Sequence, residues 1–245
     1  MFQEERKENI LRILQEREYA SVRLLGSLLY ASLPTIRRDL TALEAEGLIQ
    51  RSHGGAILVQ DEIRRPLAFR AGAMLPEKKR IAQAAAALIP ADSVIFLDAS
   101  TTAACMIDYL PKKDITVITN SLTALNLLEK HKIRAKCTGG DLLHASRAFS
   151  GRMAEHFIET FHTDYCFFST SSLNAAGQIT DYSEPETYLR QAMLRCSKTA
   201  VYLFDQTKFG KTATCHVANL AQIAVAVSDL NPPPALRTAC RWIQA

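Results

Sequence analysis

No stretch of this 245-residue chain approaches the roughly 20 uncharged apolar residues that a membrane-crossing helix needs, which excludes a helical span. No two of its six cysteines, at 105, 137, 166, 196, 215 and 240, stand in a C-x-x-C pair, so neither a zinc site nor a disulfide framework is indicated. Reduced thiols in a cytoplasmic protein are the expected reading. The first residues, MFQEERKENILRIL, lack the basic, apolar and small-residue regions of a signal peptide, and nothing there directs export. No cofactor motif is present, and none is expected to be bound. Strong charge is missing too: the formal net charge is +4, and residues 1 to 58 carry eight Lys/Arg against eight Asp/Glu. A neutral module can still present one basic face, because Arg37, Arg38 and Arg51 lie near a Gly-Gly turn while the acids gather elsewhere.

What is present falls into two parts. From Glu4 to Gln15, Ile10, Leu11, Ile13 and Leu14 recur at helical spacing among charges and predict a first amphipathic helix. Ser21 is placed to cap a second, short helix with Leu24, Leu25, Leu28 and Leu29 buried. Ser32 is placed to cap a third, with Pro34 in its first turn, where a missing N–H costs little. Ile36, Leu40 and Leu43 follow at i, i+4 and i+7, and Gly47 ends the helix. Leu48–His53 and Ala56–Leu58 then flank Gly54 and Gly55, which predicts a hairpin with a two-glycine turn. Three helices closed by a hairpin make the winged helix-turn-helix pattern. On charge alone, adjacent arginines on an exposed helix face are usually only solvated.

The residues Glu5-Arg6-Lys7-x-x-Ile10 and Thr35-Ile36-Arg37-Arg38-Asp39-Leu40-x-x-Leu43-Glu44-x-x-Gly47-Leu48-Ile49-x-Arg51-x-His53-Gly54-Gly55-Ala56 narrow the choice. This run resembles the DNA-binding signature of DeoR-type, glycerol-repressor-like sugar-operon regulators. The resemblance implies that Ser32, Thr35, Arg37, Arg38, Thr41, Arg51, Ser52 and His53 face double-stranded operator DNA, some reading bases and others holding phosphates. Tyr30-Ala31-Ser32-Leu33-Pro34 departs from the usual turn, and Pro34 cannot donate an N–H to a phosphate.

Residues 59–80 mix two prolines with six Lys/Arg and three Asp/Glu and read as a linker. From 81 to 245, strand-like runs (SVIFLD, ITVIT, AKCTGG, DYCFFST, TAVYLFD) alternate with helical ones, the pattern of an α/β domain with buried parallel strands. Ligands in such sheets bind beyond the strand carboxyl ends. Those ends hold Asp98, Ser100, Thr101, Thr102; Thr119, Asn120, Ser121; Gly139, Gly140; and Asp205 with Lys208. Hydroxyls, free N–H groups and a lysine there suit an anion such as phosphate. Each has a plainer role as a helix cap, a turn or a surface residue.

The stretches Leu97-Asp98-x-x-Thr101-Thr102, Val117-Ile118-Thr119-Asn120-Ser121-Leu122, Gly139-Gly140-Asp141-Leu142, Phe149-x-Gly151, Glu186-x-x-x-Arg190-x-x-Met193 and Asp205-x-Thr207-Lys208-Phe209-Gly210 resemble the effector domain of the same family. That domain is similar in fold to ribose-5-phosphate isomerase and the CoA transferases. The resemblance implies a regulator, expected to repress a carbohydrate operon, that responds to a phosphorylated sugar or related metabolite and works as a homodimer or homotetramer. Three departures mark the effector side: Ser100 stands where the family usually has Gly, 168–174 replaces a glycine-containing segment, and Arg190 stands where Lys is frequent. A shifted effector preference is one expectation, loss of effector binding another. The rival is an isomerase-like enzyme with Asp98 or Asp205 as base and Lys208 as electrostatic partner, but no paired acid–base constellation emerges from the spacing. A scaffold protein is opposed by the arginine-bearing helix.

Overall fold

The apolar periodicity of the first fifty residues is realised in the computed structural model, which describes residues 2–17, 19–52, 54–58, 67–111 and 114–245. Ile10, Leu11, Ile13 and Leu14 are the buried side of α1 (Gln3–Arg17). A three-residue strand that periodicity did not signal, β1 (Tyr19–Ser21), leads into α2 (Val22–Leu28), where the Ser21 Oγ accepts from the Leu24 N–H at 3.1 Å. The buried stripe there is Val22, Leu25 and Leu29, while Leu28, expected inside, is exposed. In α3 (Leu33–Ala45) the hydroxyl of Ser32 caps the first turn, Pro34 sits within that turn, and Ile36, Leu40 and Leu43 are buried. Gly47, at φ 71°, ends the helix by letting the Leu48 N–H reach the Leu43 carbonyl at 2.9 Å.

β2 (Ile49–Ser52) and β3 (Gly55–Leu58) pair antiparallel, and β1 pairs with the outer side of β3. The register sets Ser52 opposite Gly55, so Gly55 belongs to the strand and not to the expected two-glycine turn. The two glycines are required for different reasons. Gly54 has φ 77° with open space around it, whereas a Cβ on Gly55 would run into the Ala20 carbonyl and the Tyr19 ring. His53 lies outside the described residues.

The chain divides into the units Met1–Phe69 and Arg70–Ala245. Of the expected linker, 59–66 lies outside the described residues, and from Leu67 onward the structure is helical rather than a connector: α4 (Leu67–Gly72), then α5 (Leu75–Ala86). Pro76 falls in the first turn of α5, so it marks a helix start.

The larger unit alternates as the strand-like runs require. After α5 come β4 (Val94–Leu97), α6 (Thr101–Ala104) continued by a 3-10 turn, β5 (Thr116–Thr119), α7 (Leu122–Lys130) and β6 (Arg134–Cys137). A hairpin follows, β7 (Asp141–Leu143) with β8 (Ala148–Ser150), then α8 (Arg152–Glu159) and β9 (Thr163–Phe168). The remainder is β10 (Ser172–Leu173), β11 (Gln178–Asp181), α9 (Glu184–Arg195), β12 (Ser197–Phe204), β13 (Cys215–Asn219), β14 (Val225–Ser228) and β15 (Arg241–Gln244). Seven strands form one sheet in the order β15-β14-β12-β9-β4-β5-β6, every neighbouring pair parallel. A separate antiparallel sheet, β10-β11-β13, is one the sequence pattern did not reveal.

Strand alternation sorts the side chains into two cores. Ile95, Leu97, Val117, Phe167, Val201 and Leu203 pack on one side with α5, α6 and α7. Phe96, Ile118, Cys166, Phe168, Tyr202 and Phe204 pack on the other with α8, α9 and β13. The seven strands of the main sheet run the same way, so their carboxyl ends open onto one edge. Among the described residues, no helix is long and apolar enough to cross a membrane.

Gly55→Ala is expected to destabilise the first unit by roughly 1–3 kcal/mol through overpacking, while Gly54→Asn, which tolerates the left-handed region, stays within about 0.5 kcal/mol of the parent. Urea unfolding of the two variants reads both; equal stabilities would refute the distinction.

Candidate functional site

In the smaller unit, internal pairing separates basic side chains that hold the fold from those left at the surface. Arg6 grips the buried carboxylate of Asp39 through two nitrogens, Nε at 2.6 Å and Nη2 at 3.2 Å, and so ties α1 to α3. Lys7 is held by Glu4 at 3.1 Å and by Glu46 at 2.9 Å. Arg37 and Arg38 project from α3 into solvent, and among the described residues neither side chain has an ion-pair partner. The Ser32 hydroxyl is occupied as the cap, 3.3 Å from the Thr35 N–H and 2.8 Å from the Thr35 hydroxyl. Arg51, on β2, reaches back to the Thr41 hydroxyl at 3.3 Å, and its backbone N–H donates to Glu44 at 3.2 Å. The hairpin is therefore clamped to the helix that carries the arginines. Ser52 is exposed beside it.

In the larger unit, the expected residues do lie at the carboxyl edge of the sheet, but hydrogen bonds already occupy several of them. Asp98 is buried with both oxygens engaged: Oδ1 accepts from the Ser100 N–H at 3.1 Å and hydroxyl at 2.5 Å, and Oδ2 from Arg190 Nε at 2.8 Å and the Ser169 N–H at 3.4 Å. Burial raises the Asp98 pKa above its ordinary value, against the pull of Arg190. Ser100 has φ −70°, a conformation that needs no glycine, and its hydroxyl also accepts from the Ala103 N–H at 3.1 Å. Ser121 caps α7 in the same way, and the Thr119 hydroxyl accepts from the Ser121 N–H at 3.1 Å. Asp205 caps the 3-10 turn that follows β12, taking the Thr207 N–H at 3.0 Å. Ser100, Ser121 and Asp205 thus act as helix caps, and Thr119 closes the turn before α7.

Two groups keep unspent capacity. Asn120 donates through Nδ2 to the Phe149 carbonyl at 3.0 Å, but its buried Oδ1 has no partner among the described residues. Gly139 and Gly140, next to it at the end of β6, have φ 65° and 100°. The second group centres on Lys78, which was assigned to the linker by composition. Lys78 is only 4% exposed; its Nζ donates to the Arg70 carbonyl and to the Thr101 hydroxyl, the latter at 3.0 Å. Burial lowers its pKa to about 8, Asp205 acting against the shift and Lys208 with it. The signal for Lys78 was there: it stands in line with Ile81, Ala82 and Ala85 on the buried stripe of α5, where a lysine is out of place.

Arg190 was noted only as a departure, yet it organises this edge. Its three nitrogens meet Asp98 at 2.8 Å, Asp181 at 3.1 Å and Glu186 at 3.0 Å. Asp181 in turn accepts from the N–H groups of Ser171, Tyr182 and Ser183, fixing the 169–173 loop onto β11. A lysine could supply the charge but not this planar fork. Among the described residues, no group of three or more His, Cys, Asp or Glu is placed to hold a metal ion.

Residues 6–62 match the model of the DeoR-like helix-turn-helix domain, and residues 74–230 match that of the DeoR C-terminal sensor domain. The chain belongs to the DeoR family. It is a helix-turn-helix transcriptional regulator with a sensor domain. This DeoR-family chain is 33% identical to the L-fucose operon activator of Haemophilus influenzae, the match covering 96% of this chain and 95% of the relative. It is 28% identical to the glycerol-3-phosphate regulon repressor of Escherichia coli, over 95% and 93%. Among solved structures, ribose 5-phosphate isomerase A of Methanocaldococcus jannaschii is 16% identical, with a TM-score of 0.43, over 56% of this chain and 55% of that one.

Two outcomes follow from the buried charges of this DeoR sensor domain. Arg190→Met leaves three carboxylates without their cation and is expected to cost on the order of 3–5 kcal/mol in urea unfolding; a cost below about 1 kcal/mol would make the network incidental. Lys78 is harder to protonate folded than unfolded, so between about pH 8 and its ordinary 10.5 the unfolded chain holds the extra proton and stability rises with pH. The slope should vanish in Lys78→Met, measured as the difference between the two unfolding profiles; parallel profiles would contradict it.

Proposed function

We propose that this regulator represses a carbohydrate-utilisation operon: it binds double-stranded operator DNA through α3 and its wing as a homodimer or homotetramer, and responds to a phosphorylated sugar or related metabolite. The observation that carries the DNA half is the sorting of charge in the smaller unit. Arg6 and Lys7 are spent on Asp39, Glu4 and Glu46, while Arg37 and Arg38 stay exposed on α3. Their place on the recognition helix suits the major groove, with Thr35 and Thr41 on the same helix and Arg51 and Ser52 supplying phosphate contacts from the wing. Ser32 acts by holding the helix start.

The effector half rests on the carboxyl edge of the parallel sheet, where the unpartnered Asn120 Oδ1 suits a ligand hydroxyl and the lysines Lys78 and Lys208 suit an anion. Among the relatives, the glycerol-3-phosphate regulon repressor carries a small phosphorylated metabolite in its name, and repression is proposed on its example. An enzymatic role is disfavoured because Asp98, one of the two candidate bases, has both oxygens accepting hydrogen bonds inside the protein, and Asp205, the other, caps the turn after β12.

The test is a mobility shift of the full chain on its own upstream DNA at two salt concentrations, with and without a panel of sugar phosphates. Specific binding released by one compound supports the whole reading; indifference to sequence overturns it. Arg38→Ala is expected to weaken operator binding about tenfold and, if Arg38 holds a phosphate, to reduce the salt slope by about one. Unchanged affinity at fixed salt would remove Arg38 from the interface.

A further inference from the structure

We propose that Tyr30 and Leu33, with Pro34, form an apolar part of the DNA-reading surface and take thymine methyl groups in the major groove. This rests on the DNA half of the reading above and adds three residues that it does not use. The first argument is how the turn before α3 places its side chains. The Leu29 N–H returns to the Leu25 carbonyl at 3.0 Å and the Ala31 N–H to the Gly26 carbonyl at 3.0 Å, a closure of α2 that needs a left-handed residue between them. Glycine or asparagine commonly fills that place; Tyr30 fills it here, at φ 50°. The ring gains nothing from the fold in return: Tyr30 is 97% exposed, and among the described residues its hydroxyl has no hydrogen-bond partner. A strained position that carries an exposed aromatic is explained by a contact made outside the fold. Leu33 is seated as well as exposed. A Cβ on Gly26 would stand 3.1 Å from Leu33 Cδ2 and from the Ala31 carbonyl oxygen, so the bare Gly26 makes room for Leu33, which still leaves 36% of its surface open.

The second argument is what the start of α3 has left to offer. The Ser32 hydroxyl accepts from the Thr35 N–H at 3.3 Å and shares a hydrogen bond of 2.8 Å with the Thr35 hydroxyl, so both are engaged with each other. Pro34 has no N–H to give. The first turn of a recognition helix is the part that meets base edges in the major groove, and here that turn presents Leu33 and Pro34, both exposed. On those edges, the group that an apolar side chain recognises is the C5 methyl of thymine. The surroundings fix DNA as the occupant. Leu33 and Arg37 stand four residues apart, as do Pro34 and Arg38, so each apolar residue shares a helix face with an exposed cation suited to a phosphate backbone. A second copy seated patch to patch would set those arginines against each other.

The test uses the full chain and the upstream duplex that it protects from nuclease, in two forms that differ only where uracil replaces thymine inside the protected site and so removes the methyl groups. In mobility shifts at fixed salt, the wild type is expected to lose roughly fourfold in affinity for each methyl it buries, the worth of one apolar carbon. Leu33→Ala and Tyr30→Asn should bind the thymine duplex several-fold more weakly, respond less than the wild type to the uracil exchange, and keep the wild-type salt slope, because neither removes a charge. Arg38→Ala should do the reverse, lowering the slope and keeping the methyl response. Tyr30→Asn should be at least as stable in urea as the wild type, since asparagine accepts the left-handed region, so its loss of binding is not a loss of structure. A wild type that binds its operator and ignores the uracil exchange, or variants that keep the full methyl response, overturn the assignment and leave the DNA reading intact. Altered sedimentation of the DNA-free variants would make the patch a contact between copies and overturn it likewise. A wild-type chain indifferent to DNA sequence overturns both.

Discussion

Arg190 is the cation on which the carboxyl edge of the sensor domain's parallel sheet depends. Its fork joins Asp98 at the end of β4, Asp181 at the end of β11 and Glu186 in the first turn of its own helix. Two of those carboxylates then organise backbone: Asp98 the start of α6, Asp181 the entry to α9 and the loop after β9. Buried ion networks contribute little net stability compared with apolar packing. What this one supplies is position. Two loops from different strands, and an antiparallel sheet outside the main one, are set relative to each other by a single side chain.

Against that fixed frame, the residues with unmet capacity stand out. Ser100, Ser121, Thr119 and Asp205 accept backbone N–H groups at caps and turns, and so shape the edge. Asn120, Lys78 and Arg70 carry the unsatisfied acceptor and donors.

The division between what could be read from the residues and what could not follows the range of the interactions. Ile36, Leu40 and Leu43 on α3, and the alternating strand residues such as Phe96 and Leu97, announce themselves because their periodicity is local. That Asp98, Thr119 and Asp205 stand at strand carboxyl ends is local in the same way, because each directly follows or closes an apolar run. Gly55 was misplaced by one step because its requirement comes from β1, a strand 34 residues upstream by its paired position Ser21, whose register no local pattern reveals. Lys78 was lost to the linker because composition outweighed its place on an apolar stripe. Arg190 was seen as a departure from a family habit, but its three partners lie at positions 98, 181 and 186, and only folding brings the most distant of them within reach.

The pairing of Arg6 with Asp39 has one more consequence. Mobile ions screen exposed charges over about 8–10 Å at physiological ionic strength but hardly touch a pair from which water is excluded. The Arg6–Asp39 pair, whose carboxylate is buried, is therefore screened less than Arg37 and Arg38, which stand exposed on α3. Added salt thus weakens the field of Arg37 and Arg38 more than it weakens the Arg6–Asp39 tie between α1 and α3.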